Sequence, residues 1–247
     1  MPKPVSRPSF ITYGRSCLWL ACCAALVSGS RAAEPEPDVV SQHTREFRVS
    51  VDGRVRGTQS MTFSRRRDGS EVMRGEAEVV LNFVVYRYRY ASSGTETWKD
   101  GRLIQVASEA DYNGDKYVIQ GSATKQALQY EVNGETQSAP PDIWTQWREP
   151  GPARVGKKVR LLDSDKGRQL IATLEKLDPE TIIVDSAPIK TNRYRMAGDV
   201  EVDVWYDGQG FIARQESVES GHKTLLELTR IRKADDDVPR ETVNVNR

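Results

Sequence analysis

Past residue 23 the chain has no cysteine, because Cys17, Cys22 and Cys23 are its only three. The remainder therefore offers no disulfide, no thiolate nucleophile and no cysteine-ligated metal. Histidine is almost as scarce, with only His43 and His222, so metal centres and base-assisted nucleophiles have few parts to draw on. No Asn-x-Ser/Thr acceptor occurs, which favours a bacterial envelope over a eukaryotic secretory path. No apolar run reaches the roughly 20 residues that span a bilayer. The longest uninterrupted one near the start, Cys17 to Val27, has 11 residues.

That short run follows Lys3, Arg7 and Arg15 and precedes Ser30-Arg31-Ala32, the layout of a secretory signal peptide over residues 1–32, cleaved near Ala32. A lipid anchor on Cys22 would leave an apolar stretch of about five residues before it, under the usual ~7 to 15. The expected location is periplasmic or secreted, with no transmembrane anchor. Of 36 basic residues four fall in the leader, leaving 32 against 35 acidic ones. A mildly acidic chain lacks the basic patch that nucleic acid or an anionic membrane surface would select.

What is present is alternation. After an acidic, proline-bearing stretch at Glu34 to Asp38, Phe47, Val49 and Val51 alternate with Glu46, Arg48 and Ser50, as in a strand with one buried face. Turn pairs recur at Asp52-Gly53, Asp68-Gly69, Asp100-Gly101, Asn113-Gly114, Asn133-Gly134 and Asp207-Gly208, each tolerant of the positive φ that hairpins need. The fold class is all-β, an antiparallel meander forming a strongly curved sheet or barrel. Glu76 to Ala91 is apolar on both parities at its centre and predicts one long central strand, bent or bulged near Val85. Pro140-Pro141 and Pro150-Gly151-Pro152 bracket Trp144 and Trp147; proline excludes a central strand there, so the segment is a crossover, a short helix or loop that lids or plugs one end. The expected domain spans 33–232, with halves at about 40–138 and 153–232, the crossover at 139–152, and a disordered polar tail at 233–247. Seven strands are expected after the crossover. In one hairpin, a loop at Ala197-Gly198-Asp199 would set Arg195 opposite Glu201, Arg193 opposite Asp203, Met196 opposite Val200 and Tyr194 opposite Val202.

Candidate chemistry is thin. Ser122-Ala123-Thr124-Lys125 has the Ser-x-x-Lys spacing without its companion motifs. Asp163-Ser164-Asp165-Lys166-Gly167 starts like a calcium loop, but position twelve is Leu174 where a bidentate glutamate belongs, so it reads as a charged hairpin turn. Asp199, Glu201 and Asp203 share a strand face and are matched by Arg193 and Arg195. No metal or other cofactor is expected. The residues best suited to line a ligand site are Phe83, Tyr86, Tyr88, Tyr90, Trp144 and Trp147, with Arg87 and Arg89 able to clamp an anionic headgroup or carboxylate near a mouth.

Val51-Asp52-Gly53 followed by Gly57, Tyr86-Arg87-Tyr88 leading to Glu96-Thr97-Trp98 and Gly101-Arg102-Leu103, and Val204-Trp205-Tyr206-Asp207 near the end give the chain a resemblance to an exported bacterial family known as domain of unknown function 6134, and more distantly to the family numbered 3108. The resemblance covers most of the chain after the leader. It implies an open or closed antiparallel barrel similar to the lipoprotein-carrier and lipocalin folds, and no catalytic residues. Where that family tends to carry a cysteine in the crossover, this chain has Asp142-Ile143-Trp144, which argues against a thiol role. The leading reading is an exported, non-catalytic barrel that binds a hydrophobic or lipidic ligand. The alternatives are a cell-envelope assembly or protein-interaction module and, third, a hydrolase using Ser122 and Lys125 or the histidines. An open apolar interior favours the first and a packed interior the second.

Overall fold

The computed structural model describes residues 38–82, 87–219 and 221–233. The expectations for the leader and the tail lie outside these residues. The alternating sequence folds into fifteen strands. The first eight are β1 (Val39–Val51), β2 (Arg54–Arg66), β3 (Glu71–Asn82), β4 (Arg87–Lys99), β5 (Arg102–Tyr112), β6 (Asp115–Ala123), β7 (Leu128–Val132) and β8 (Glu135–Ala139). After the crossover come β9 (Lys158–Leu162), β10 (Gln169–Lys176), β11 (Glu180–Val184), β12 (Ala187–Gly198), β13 (Glu201–Asp207), β14 (Ile212–Glu219) and β15 (His222–Lys233). All pair antiparallel in one sheet ordered β8-β7-β6-β5-β4-β3-β2-β1-β15-β14-β13-β12-β10-β9, with β11 alongside β12. β1 pairs with β15 and joins the two halves. β8 and β9 end the path without pairing to each other, so the curved sheet is barrel-like but not closed.

All six turn pairs sit at strand reversals. At Asp52-Gly53, Asp100-Gly101, Asn113-Gly114 and Asn133-Gly134 both residues have positive φ, the geometry whose twist suits a two-residue hairpin. A fifth turn of this geometry, Asp185-Ser186 at φ 47 and 65, carries no glycine to announce it.

The long central strand expected over Glu76 to Ala91 is instead a hairpin. Asn82 pairs with Arg87, Leu81 with Tyr88 and Val79 with Tyr90, so the chain reverses between Asn82 and Arg87. Phe83-Val84-Val85-Tyr86 contains no turn-forming residue, and so the reversal left no signal; Phe83 and Tyr86 lie outside the described residues. The β12–β13 register also departs from expectation, by two residues. Met196 faces Val202, Arg195 faces Asp203 and Tyr194 faces Val204, with the loop at Gly198-Asp199-Val200. A two-residue slip keeps every side chain on its face, so alternation could not separate the two registers. Gly198 stays in the strand, paired with Ala172 on β10, which moves the loop one residue along, and the approach to β10 is close enough that a Cβ there would lie 2.5 Å from the Ile171 carbonyl oxygen.

The inner face holds one continuous core that includes Phe47, Met61, Phe63, Trp98, Leu103, Ile119, Leu128, Ile143, Trp144, Leu161, Leu174, Met196, Val204 and Leu226. Two non-strand segments close its ends. At the end bearing the Asn113-Gly114 and Asn133-Gly134 turns, the loop 163–168 between β9 and β10 folds inward: Tyr130 donates its hydroxyl to the Gly167 carbonyl at 3.0 Å, and Ser108 donates to that of Ser164. At the other end the crossover lies across the opening. Arg102 donates to the Pro141 carbonyl at 3.0 Å, Tyr206 to that of Gln146 at 2.7 Å, and the Glu149 amide to Gly210 at 2.9 Å. This crossover forms no helix. Trp144 is extended and bridges the free side of β9, donating to Arg160 at 3.2 Å and accepting from Leu162 at 2.8 Å, while a single 3-10 turn follows at Pro152–Arg154.

Candidate functional site

Strand alternation divides the expected ligand-lining residues between two faces. Tyr88 and Tyr90 follow the inner parity of β4, whereas Arg87 and Arg89 point outward, Arg89 pairing with Glu78 at 3.0 Å on a solvent-exposed surface. Trp144 is buried in the core and Trp147 packs against it part-buried. The aromatic wall and the arginines therefore do not form one site.

What gathers around Tyr90 is a group that the sequence did not single out together. A bulge at Thr97/Trp98 sets Tyr90 opposite Tyr112, their rings 4.8 Å apart, and Tyr117 lies edge-on to Tyr112 at 6.0 Å. The loop 163–168 supplies the polar partners. Asp165 accepts the Tyr90 hydroxyl at 2.5 Å and that of Tyr112 at 3.1 Å, and the Lys166 ammonium stands 4.0 Å over the Tyr112 ring, a favourable cation–π placement. Burial, then the Asp165 charge, push the Tyr112 hydroxyl well above the usual phenol range, so it stays a donor.

Deeper along the same strand lies Glu96, fully enclosed. Its Oε2 accepts from Trp98 Nε1 at 3.0 Å and from Thr145 Oγ1 at 2.7 Å, while Oε1 has no hydrogen-bond partner among the described residues. Burial raises its pKa to about 7, and Asp165 adds to the shift; the hydrogen bonds from Thr145 and Trp98 oppose it. Glu96 thus stands where β4, the crossover and the loop 163–168 converge.

A second buried polar group lies at the end covered by the crossover. Arg45 on β1 pairs with Asp207 at the end of β13, both almost fully buried, and donates to the Ile212 carbonyl at 3.1 Å. His43 accepts from Arg45 Nε at 3.3 Å, stacks on Phe63 and meets the edge of Phe211 at 4.6 Å. Burial first, and Arg45 second, lower its pKa to about 4, so it is a neutral acceptor. Arg148 of the crossover stands 4.3 Å over Phe211 and pairs with Glu71 at 2.6 Å.

The hydrolase candidates remain apart. His222 reaches Asp52 at 2.7 Å in an exposed pair, but Ser122 is on β6 and five strands separate β6 from β15. No cluster of three potential metal ligands occurs among the described residues. Asp163 instead accepts from the amides of Asp165 and Lys166 and from Arg168, which is the work of a hairpin turn. The sizeable concavities lie mainly along the outer face of β2 to β6: one of about 970 Å³ lined in part by Glu76, Glu78, Arg89, Glu109 and Asp111, and one of about 530 Å³ that shares Ser60, Glu76, Ser93 and Glu109. The larger is lined by somewhat more apolar than polar surface, Val55, Ala91 and Val118 among it, and the smaller by slightly more polar than apolar. No described helix is long and apolar enough to cross a membrane, a statement that leaves strands aside.

Comparison with known proteins agrees with the fold and adds no activity. A solved β-barrel-like protein of domain of unknown function DUF1849 from Brucella abortus is similar at 9% identity, with a TM-score of 0.57 over 79% of this chain and 99% of that one. A DUF1329 family protein from Desulfovibrio piger aligns over 81% of this chain and 86% of its own at 11% identity, but its TM-score of 0.21 carries no weight. No curated protein is significantly similar in sequence. The model of a family described as a domain of unknown function, DUF6134, matches residues 47–229, and the chain belongs to that family.

Proposed function

We propose that this chain is an exported, non-catalytic interaction module of the cell envelope. The observation that carries the reading is the filled interior. Side chains such as Met61, Ile119, Leu174, Met196 and Val204, from strands of both halves, are fully buried, and the loop 163–168 and the crossover occupy the two ends. A carrier of apolar ligands ordinarily keeps a mostly apolar cavity of roughly 300–1,000 Å³, whereas the larger concavities here lie mainly on the outer face, with carboxylates and serines interspersed among their apolar lining. Such a surface suits a protein partner better than an acyl chain.

The tyrosine mouth favours a second reading, the carrier of a hydrophobic or lipidic ligand. Tyr88, Tyr90, Tyr112 and Tyr117 are only part-buried, and an amphipathic ligand entering beneath the loop 163–168 would meet aromatic faces and the hydroxyls now held by Asp165. Native mass spectrometry of protein taken from its own compartment, with phospholipid then offered, separates the readings. The interaction module predicts the mass of the bare chain and no adduct. A reproducible lipid adduct, lost in a folded Tyr90→Ala variant, would overturn it in favour of the carrier.

A further inference from the structure

We propose that the free edge of β11 docks an extended strand of another protein, one with β-branched residues at its centre and basic residues at its flanks. This rests on the interaction-module reading and gives it a surface and a partner chemistry.

Sheet edges invite pairing with foreign strands, and proteins blunt them with charge, proline or a covering segment. Three edges here are treated that way. β9 carries exposed Lys158 and Arg160 and is bridged by Trp144. β8 presents Glu135 and a polar run, and Gln169 caps its Ser138 carbonyl at 2.9 Å. β12 extends past Thr191, where its pairing with β13 ends, and the stretch left without a partner on that side holds Pro188 and Lys190. β11 differs: Thr181-Ile182-Ile183-Val184 is uncharged and wholly β-branched, and among the described residues its only partner strand is β12.

The hydrogen-bonding phase of that edge follows from its contacts. The Glu180 carbonyl accepts from Thr191 Oγ1 at 2.6 Å, so the Glu180 backbone faces β12. By alternation Ile182 and Val184 face the same way, and Thr181 and Ile183 turn their N–H and C=O groups outward. The two-residue turn closing on Val184 and Ala187 demands the same phase. It also explains Pro188: opposite Ile183 it occupies a non-hydrogen-bonded position, where the missing N–H costs the ladder nothing. Four backbone groups are thus presented at an edge whose Ile183 is 67% exposed, as strand addition requires.

Charge selects the partner. Exposed Asp178 and Asp185 bracket the strand, and Lys190 stands one strand further in. A second copy pairing antiparallel would bring these aspartates together with their counterparts, whereas a strand with basic flanks would neutralise them.

The test is amide hydrogen exchange at Thr181 and Ile183 in the whole exported chain, with capped Lys-Val-Thr-Val-Thr-Val-Lys or capped Glu-Val-Thr-Val-Thr-Val-Glu added. The lysine-flanked peptide should slow exchange at both amides by roughly tenfold or more, and the glutamate-flanked one should not. Ile183→Pro, which removes an outward N–H, and Ile183→Lys, which leaves the backbone intact, should both abolish the slowing at Thr181. Equal slowing by both peptides, or slowing that depends on protein concentration without peptide, would overturn the choice of partner. No slowing by either overturns the edge itself, while the interaction-module reading falls only to a lipid adduct.

Discussion

A carboxyl group sealed from water holds its proton far above the usual range, and Glu96 is such a group. Its folded pKa of about 7 lies above the ordinary 4.5, so its contribution to stability is full below pH 4.5 and is lost as pH rises through 7. A shift of that size corresponds to roughly 3 kcal/mol. Glu96→Gln keeps an oxygen for Trp98 and Thr145 and removes the charge. Its unfolding free energy should exceed that of the parent at pH 8 by roughly 1–3 kcal/mol and match it near pH 4, as read from urea midpoints at the two pH values; equal midpoint differences at both would show that Glu96 ionises freely. Two glycines give a second contrast. A Cβ on Gly57 would lie 2.0 Å from the Glu78 carbonyl oxygen, whereas Gly134 has open space but φ +86. Gly57→Ala should therefore cost roughly 1–3 kcal/mol or more through overpacking, and Gly134→Ala about 1–2 through left-handed strain. Thermal melts of the pair check the order.

At the scale of elements, the loop 163–168 is the piece whose role exceeds its appearance. In sequence it is a charged turn, and Asp163 makes it one. Its inward side is held by Asp165 on the two tyrosines and by Ser164 on Ser108. Asp165→Ala should loosen this loop alone: proteolysis after Lys166 by trypsin should accelerate several-fold while the melting temperature falls by only a few degrees. Cleavage unchanged from the parent would mean that backbone contacts such as the Tyr130–Gly167 bond hold the loop by themselves. The β11–β12 hairpin makes the same point about elements. Its turn lacks a glycine and its Pro188 looks strand-breaking, yet both fit once the hydrogen-bonding phase is known.

For the whole molecule the buried acid and the buried base oppose each other. His43, with a folded pKa lowered to about 4 from 6.5, contributes stability present above pH 6.5 and lost as pH falls through 4. Glu96 loses its contribution in the opposite direction across much of the same interval. The parent should thus show a nearly flat stability between about pH 4.5 and 6.5, and Glu96→Gln, in which nothing at position 96 offsets His43, a steady rise with pH there. Chemical denaturation at half-unit steps measures both slopes; a flat profile in the variant would show that His43 does not titrate in this window.

Six hairpins, the parity of nearly every strand and the all-β class were readable in the sequence, because alternation and Asx-Gly turns are local and leave their mark in neighbouring residues. Slips of two residues leave no such mark, and so the β12–β13 register needed the contact between Gly198 and β10. The reversal after Asn82 had no turn residues to show it. The tyrosine mouth escaped for a related reason: reckoned from the Asp100-Gly101 turn without a bulge, Tyr90 faces Asp111, and only the bulge at Thr97/Trp98 brings it to Tyr112. Asp165 and Glu96 meet across 69 residues of chain, and a buried charge is visible only when the walls that bury it are in place. Sequence by itself determined which residues face inward, since a strand has two sides and apolar side chains leave water. Tertiary structure decided which inward residues touch, how the two ends are sealed and which edge stays open, since these depend on sheet curvature and long-range closure that no local pattern encodes.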